Sequence, residues 1–120
     1  MKILLTGSSG FLGNNLTEHL NKDGHDVVGY DYTDGQDIRD KLQFTEWVTK
    51  YNPDICIHLA AIANLNHFDD DIKLGSDINI IGTNNVLDVC EQHNVRVLFA
   101  STCCCYGDNK LELKHFKEKE

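Results

Sequence analysis

Three glycines stand directly behind a short apolar run near the start of this chain, in the stretch LLTGSSGFLG at residues 4–13. A glycine within a helix or strand costs about 0.5–1 kcal/mol relative to alanine, so three of them at intervals of three need a structural reason. Gly7 allows a sharp turn after a strand, Gly10 lets the backbone approach a diphosphate, and Gly13 lets the next helix pack closely on that strand. The stretch therefore predicts a strand, a loop and a helix whose free N–H groups can hold an anion.

Short apolar runs alternate with segments of helical periodicity along the rest of the chain. The predicted strands are KILLT, DVVGYD, DICIHLAA and VRVLFAS, at residues 2–6, 26–31, 54–61 and 95–101. The predicted helices run from Phe11 to a cap at Gly24, over residues 38–52 up to Pro53, and from Ile72 to His93. Because apolar strands of this kind are buried on both faces, the sequence predicts an α/β protein with a doubly wound parallel sheet, Rossmann-like and incomplete at its C-terminal side.

The acidic composition limits the ligands that the chain can hold. A net charge of -8 and a pI near 5.1 argue against nucleic acid, which requires clustered Lys and Arg. A small phosphate ligand remains compatible, since backbone N–H groups can bind it. No apolar run approaches the roughly 18 residues of a membrane span, and no cleavage-site pattern follows Met1, so we expect a cytoplasmic protein without membrane partners.

The cysteines favour neither a disulfide framework nor a metal site. There are five of them, Cys56, Cys90 and the run at 103–105, and no CxxC pair occurs. The six histidines are scattered rather than set at ligand spacing. Most of these cysteines are therefore predicted to be small buried apolar residues, and no metal is expected.

An acidic residue completes the glycine pattern. Asp31 ends the second predicted strand, where a carboxylate can accept hydrogen bonds from ribose hydroxyls and repel a 2′-phosphate. The nearest cation in the sequence, Arg39, lies past the following loop. The sequence therefore predicts a dinucleotide site for NAD, with NADP less favoured; glycines that serve only turns are the alternative.

The chain resembles the extended short-chain dehydrogenase/reductase family, whose members include NAD-dependent sugar-nucleotide epimerases and dehydratases. The resemblance rests on TGSSGFLG at 6–13 and Asp31, followed in order by DI at 37–38, HLAA at 58–61, NIIGT at 79–83 and STCCCYG at 101–107. It covers residues 1–107 and implies an NAD(P)-binding Rossmann domain there. Residues 108–120 would be a polar tail at the start of a substrate-binding part.

The resemblance also implies roles for single residues. Asp37-Ile38 would contact the adenine, the HLAA segment would lie under the cofactor, and Asn79 would order the active site. The predicted cofactor-binding residues are Gly7, Gly10, Phe11, Leu12, Gly13, Asp31, Asp37, Ile38, Leu59, Ala60, Ala61 and Asn79. Simpler interpretations stay open: a helix start at Asp37-Ile38, small packing residues at 60–61, and a solvated helix surface at Asn79. The family usually has a further strand before Asp37, which the short spacer at 32–36 predicts to be minimal or absent.

The catalytic residue implied by the resemblance is Thr102, at the place of a Ser or Thr that hydrogen-bonds the substrate hydroxyl or carbonyl. The family moves the proton with a Tyr-x-x-x-Lys pair about 25 residues further on. Tyr106 and Lys110 match that pattern, but the intervening GDN is a poor helix interior, and Tyr106 fills the strand-end position. We therefore expect the true pair beyond residue 120 and this chain alone to be inactive; the alternative is a dinucleotide-binding module without catalysis.

The residues after Thr102 discriminate between the family's reactions. Its 4,6-dehydratases carry an Asp-Glu pair directly after the threonine, where this chain has Cys103 and Cys104. A thiol is a poor general acid for removing water and offers no carboxylate. The complete protein is therefore expected to be an epimerase or reductase that transfers hydride to and from a nicotinamide. Its substrate would be a nucleotide-linked sugar, and a homodimer is compatible with the resemblance.

Overall fold

A computed structural model describes residues 1–102 of the chain, except for the side chains of Leu65 and Phe68. The strands of this range are β1 (Lys2–Thr6), β2 (Asp26–Tyr30), β3 (Ile55–His58) and β4 (Arg96–Phe99). The helices are α1 (Phe11–Lys22), α2 (Lys41–Tyr51), α3 (Leu65–Asp70), α4 (Ile72–Ser76) and α5 (Thr83–Gln92), with a 3₁₀ turn at Tyr32–Asp34 and a π-helix at Asp77–Gly82. The cysteine run, the Tyr106–Lys110 pair and the predicted tail at 108–120 lie outside the described residues.

The four strands form a parallel sheet in the order β2-β1-β3-β4. The register pairs Leu4 of β1 with Val28 of β2 and with Cys56 of β3. Parallel neighbours need a crossover connection, and the helices between the strands supply it. The predicted fold class, a Rossmann-like doubly wound sheet, is confirmed.

Helices cover β1 and β3 on both faces of the sheet. Successive side chains of a strand point to opposite faces, so Leu4 and Leu5 enter different cores. Leu4 lies in one buried cluster with Phe44 of α2 and Val86 of α5. Leu5 lies in the other cluster, against Leu16 of α1. Because the strands are parallel, their carboxyl ends lie at one edge of the sheet.

Several predicted boundaries differ from the structure: β2 ends at Tyr30 rather than at residue 31, and β4 spans Arg96–Phe99 rather than 95–101. β3 ends at His58 rather than at residue 61, because the Ala60 N–H turns to donate to the side chain of Thr6. Helix α2 begins at Lys41 rather than at residue 38, because the Asp40 carboxylate caps it. The helix predicted over 72–93 is divided into α4, the π-helix and α5. Helix α3 was not predicted.

Burial on both faces holds for β1 and β3 but is wrong for β4. Leu98 is 57% exposed and Phe99 is 54% exposed, because β4 is the outermost strand of the described sheet. Cys56 and Cys90 are buried thiols in the core, in line with the prediction for most of the cysteines, while the run at 103–105 lies outside the described residues. Among the described residues, no helix has both the length and the apolar character that crossing a membrane requires.

Candidate functional site

A cleft of about 390 Å³ opens at the carboxyl ends of β1, β2 and β3. From the centre of the sheet, β2 extends to one side of β1 and β3 to the other, so the cleft lies at the topological switch point where open α/β sheets bind ligands. Its volume is within the range of about 300–1,000 Å³ that is typical of small-molecule sites. The predicted cofactor-binding residues that line it are Gly7, Gly10, Asp31, Asp37, Ile38, Leu59, Ala60 and Ala61.

The other predicted site residues do not line this cleft; they are Phe11, Leu12, Gly13, Asn79 and Thr102. Phe11 and Leu12 expose their side chains in the first turn of α1, beside the loop that does line it. Thr102 is exposed and follows the end of β4. The roles of these residues in binding and catalysis stay predictions.

The three glycines of the loop differ in whether packing within the chain requires a residue without a Cβ. Gly7 has φ +72°, and a Cβ there would lie 2.8 Å from the backbone nitrogen of Ala60. A Cβ on Gly13 would lie 2.2 Å from the Gly7 carbonyl oxygen, so α1 packs directly on the loop. A Cβ on Gly10 would meet only that same carbonyl oxygen, at an ordinary 3.4 Å. Packing within the described chain therefore demands glycine at positions 7 and 13, but not at position 10.

The amino end of α1 points its unpaired N–H groups at this loop. Gly10 is the N-cap residue, no side chain caps the helix, and its first turn holds no acidic residue. The helix macrodipole places roughly half a positive charge at such an end. An anion beside Gly10 would meet free donors without a competing carboxylate.

Asp31 connects the glycine loop to the turn after β2. One carboxylate oxygen accepts a hydrogen bond from the Ser9 N–H at 2.9 Å. The other accepts from the N–H and the hydroxyl of Thr33, at 3.0 Å and 2.8 Å. Burial raises the pKa of Asp31, but the hydrogen bonds from Thr33 and Ser9 outweigh it and hold the pKa below its ordinary value. The carboxylate is therefore ionised at neutral pH, and its hydrogen bonds already hold Ser9 of the glycine loop and Thr33 of the turn together.

Asp37 is paired with Arg39. The guanidinium donates from Nε to both carboxylate oxygens, at 3.0 Å and 3.1 Å, and from Nη2 at 2.7 Å. These hydrogen bonds, stronger than the opposing effect of burial, hold the pKa of Asp37 below its ordinary value. Arg39, the cation nearest to Asp31 in the sequence, is thus already paired with Asp37.

Two side chains fix the segment 37–38 ahead of α2. The Asp37 N–H donates to Gln43 Oε1 at 2.8 Å, and the Tyr30 hydroxyl donates to the Asp37 carbonyl oxygen at 3.0 Å. The interpretation of Asp37-Ile38 as a helix start is therefore wrong. Tyr30 and Gln43 were not predicted to support the site, since their spacing shows no local pattern.

Asn79 holds the segment after β3. Its side-chain amide accepts from the Ile62 N–H at 2.8 Å and donates to the Ile62 carbonyl oxygen at 3.0 Å. Ile62 lines the cleft. The interpretation of Asn79 as a merely solvated residue is therefore wrong, although its contact with the cleft is indirect.

A buried histidine joins three elements beneath the floor of the cleft. His58 Nδ1 lies 2.6 Å from Thr6 Oγ1 at the end of β1, and Nε2 lies 3.0 Å from Thr83 Oγ1 at the start of α5. Thr6 Oγ1 also accepts from the N–H groups of Leu59 and Ala60, at 3.2 Å each. Burial lowers the pKa of His58 to about 4. The HLAA motif contains this residue, but the sequence assigned it no role.

Comparisons with known proteins agree with this geometry. The model of the NAD dependent epimerase/dehydratase family matches residues 3–120. This chain belongs to that family. It is 34% identical over 142 residues to CDP-paratose 2-epimerase of Salmonella typhi, a match that covers 100% of this chain and 41% of the relative. The chain thus spans about two-fifths of the length of that epimerase.

Solved structures of other proteins reproduce the fold. UDP-glucose 4-epimerase from Brucella ovis, in complex with NAD, superposes with a TM-score of 0.81 at 30% identity, covering 92% of this chain and 38% of that one. A dTDP-4-dehydrorhamnose reductase from Bacillus anthracis, in complex with NADP, gives a TM-score of 0.73 at 29% identity and covers 80% and 34%. Both epimerases and reductases therefore share this arrangement of strands and helices.

Proposed function

We propose that this chain binds NAD and forms the cofactor-binding part of an enzyme that epimerises or reduces a nucleotide-linked sugar. The observation that carries the proposal is the space at Gly10. Packing within the described chain does not require glycine there, whereas a diphosphate against the amino end of α1 would. When bound, the nicotinamide would accept and return a hydride, and the protein would supply binding and orientation.

The lining of the cleft offers partners for two parts of a dinucleotide. The loop from Gly7 to Gly10 would hold the diphosphate, and Asp31 would accept a ribose hydroxyl. A carboxylate has about four lone-pair sites, and three hydrogen bonds from the protein already occupy the Asp31 oxygens. Asp31 would therefore accept one ribose hydroxyl strongly, rather than two.

NAD is favoured over NADP by the charges that line the cleft. Asp31 and Asp37 are both acidic, and none of the described lining residues is Lys or Arg. Arg39, the nearby cation, is paired with Asp37. A 2′-phosphate would meet the negative charge of Asp31, which no Lys or Arg of the lining compensates, although the Bacillus anthracis relative was solved with NADP.

The test of NAD binding is Gly10→Ala, with calorimetric titration of NAD as the measurement. We expect the melting temperature to stay close to that of the wild type, because the new Cβ meets only one backbone atom at 3.4 Å. NAD binding should be lost, because the methyl group would occupy the place of the diphosphate. Ser8→Ala is the matched control in the same loop, since Ser8 does not line the cleft. NAD binding by Gly10→Ala at wild-type affinity would contradict the proposal.

The choice among reactions rests on the sequence after β4. Epimerases and reductases need no acid pair beside Thr102, and Cys103-Cys104 provides none. The test is the complete protein assayed on nucleoside-diphosphate hexoses, with Thr102→Val against Thr102→Ser. Loss of epimer formation or ketone reduction in the valine variant alone would support the assignment of Thr102. Accumulation of a 4-keto-6-deoxy sugar would instead identify a dehydratase.

A further inference from the structure

The hydrogen bonds around Thr6 determine where the proton of His58 sits. Thr6 Oγ1 accepts from the N–H groups of Leu59 and Ala60, the former shared with the Thr6 carbonyl oxygen, so both lone pairs of the hydroxyl oxygen face a donor. The hydroxyl hydrogen is then donated to His58 Nδ1, 2.6 Å away. Nδ1 is therefore unprotonated, and the single hydrogen of the neutral ring lies on Nε2, which donates to Thr83 Oγ1 at 3.0 Å.

We propose that His58 is a positioning residue of the NAD site. Its ring, neutral and protonated at Nε2, orients the Thr6 hydroxyl so that this oxygen holds the N–H groups of residues 59–60. Those residues form the floor of the cleft and lie against the glycine turn, where a Cβ on Gly7 would come within 2.8 Å of the Ala60 nitrogen. Such close packing means that a shift of the floor changes the cleft. The inference rests on the proposed binding of NAD.

The opposite arrangement of protons would break this support. A hydrogen on Nδ1 would be donated to Thr6 Oγ1 and would take a lone pair that now serves Leu59 or Ala60. The Leu59 N–H would keep the Thr6 carbonyl oxygen as an acceptor, so the hydrogen bond at risk is that of the partly buried Ala60 N–H, and the Thr6 hydroxyl would lose its acceptor. Thr83 prevents this by accepting from Nε2.

The surroundings of His58 keep the ring neutral. Thr6 of β1 and Thr83 of α5 contact its nitrogens, and the ring of Phe99 of β4 stacks on it with centroids 5.8 Å apart. None of these groups is charged, and burial is the cause of the lowered pKa. No carboxylate of the described chain raises that pKa, so the neutral ring is maintained at physiological pH.

The experiment compares NADH binding by the wild type, Thr83→Val and Thr83→Ser at pH 7.5, with the fold checked by Trp47 fluorescence. The valine keeps the volume of Thr83 and removes the acceptor of the Nε2 hydrogen. We expect Thr83→Val to bind NADH about 3- to 10-fold more weakly, the range that one lost hydrogen bond produces, and Thr83→Ser to stay within about twofold of the wild type. Equal affinity of Thr83→Val and wild type would overturn the inference.

A second measurement is independent of the cofactor. The ring ¹⁵N and ¹H signals of His58 in the wild type report its tautomer directly, and we expect a neutral ring with its hydrogen on Nε2 at pH 6 and above. A hydrogen on Nδ1 would overturn the inference even if NADH binds. Failure of the wild type to bind NADH, with the Nε2 tautomer present, would instead count against the proposed function.

Discussion

Mild acid should destabilise this protein through His58 before it protonates the carboxylates of the cleft. The folded state holds the His58 pKa at about 4, and the unfolded chain returns it to about 6.5. Between these values the unfolded state binds a proton that the folded state excludes, so the free energy of unfolding falls as the pH falls. As far as His58 is concerned, the free energy of unfolding is highest above pH 6.5 and falls as the pH is lowered from 6.5 to 4.

The magnitude follows from the two pKa values. One pKa unit corresponds to about 1.4 kcal/mol, so the whole shift is worth about 3 kcal/mol and the part lost between pH 7 and pH 5 is about 2 kcal/mol. His58 is 1% exposed, so solvent screening takes little from this figure. Asp31 and Asp37 have lowered pKa values and lose their stabilising effect only below their ordinary pKa of 3.8. The window from pH 7 to pH 5 therefore separates His58 from them.

The assay is urea unfolding of the wild type and His58→Asn at pH 7 and pH 5, followed by the fluorescence of Trp47, the single tryptophan. Asparagine keeps a polar atom near the position of Nδ1 and cannot acquire a charge. The variant should be less stable at pH 7, and the difference from the wild type should shrink by about 2 kcal/mol at pH 5. A stability difference that is the same at both pH values would refute the argument.

Two further outcomes are expected. Asp31→Asn should weaken NAD binding by roughly 1–3 kcal/mol in calorimetry, the scale of a lost charged hydrogen bond, and wild-type protein that binds NADP as tightly as NAD would contradict this interpretation of Asp31. The polypeptide 1–120 should self-associate through the exposed β4 edge, so its melting temperature should depend on concentration, and Leu98→Lys should reduce that dependence. A sharp, concentration-independent melt of a monomeric wild type would count against this edge.

The part of the fold that could be predicted is the part that local sequence determines. The strand, glycine loop and helix at residues 2–22 follow from an apolar run, a turn glycine at Gly7 and helical spacing, all within a few residues of each other. Asp31 could be placed at the cleft because parallel strands end at a common edge. The start of α2 was misplaced because Ile38 continues the apolar spacing, whereas the cap at Asp40 decides the boundary.

The supports of the cleft could not be predicted, because they join distant parts of the chain. Thr6 and His58 are 52 residues apart, and His58 and Thr83 are 25 apart. No pattern within one element shows that a threonine and a histidine will share a buried hydrogen bond. The sequence likewise does not predict the π-helix, since Asn79 and its neighbours keep the apolar spacing of an ordinary helix.

Phe99 belongs both to the exposed edge strand of the described sheet and to the surroundings of the buried His58. Phe99 is 54% exposed on its own strand, yet it is the cover on one side of His58. A polypeptide that packs on β4 would therefore lie against a ring that also contacts His58, the residue beneath the floor of the cleft. The outer edge of the described sheet and the support of the cleft thus share one aromatic side chain.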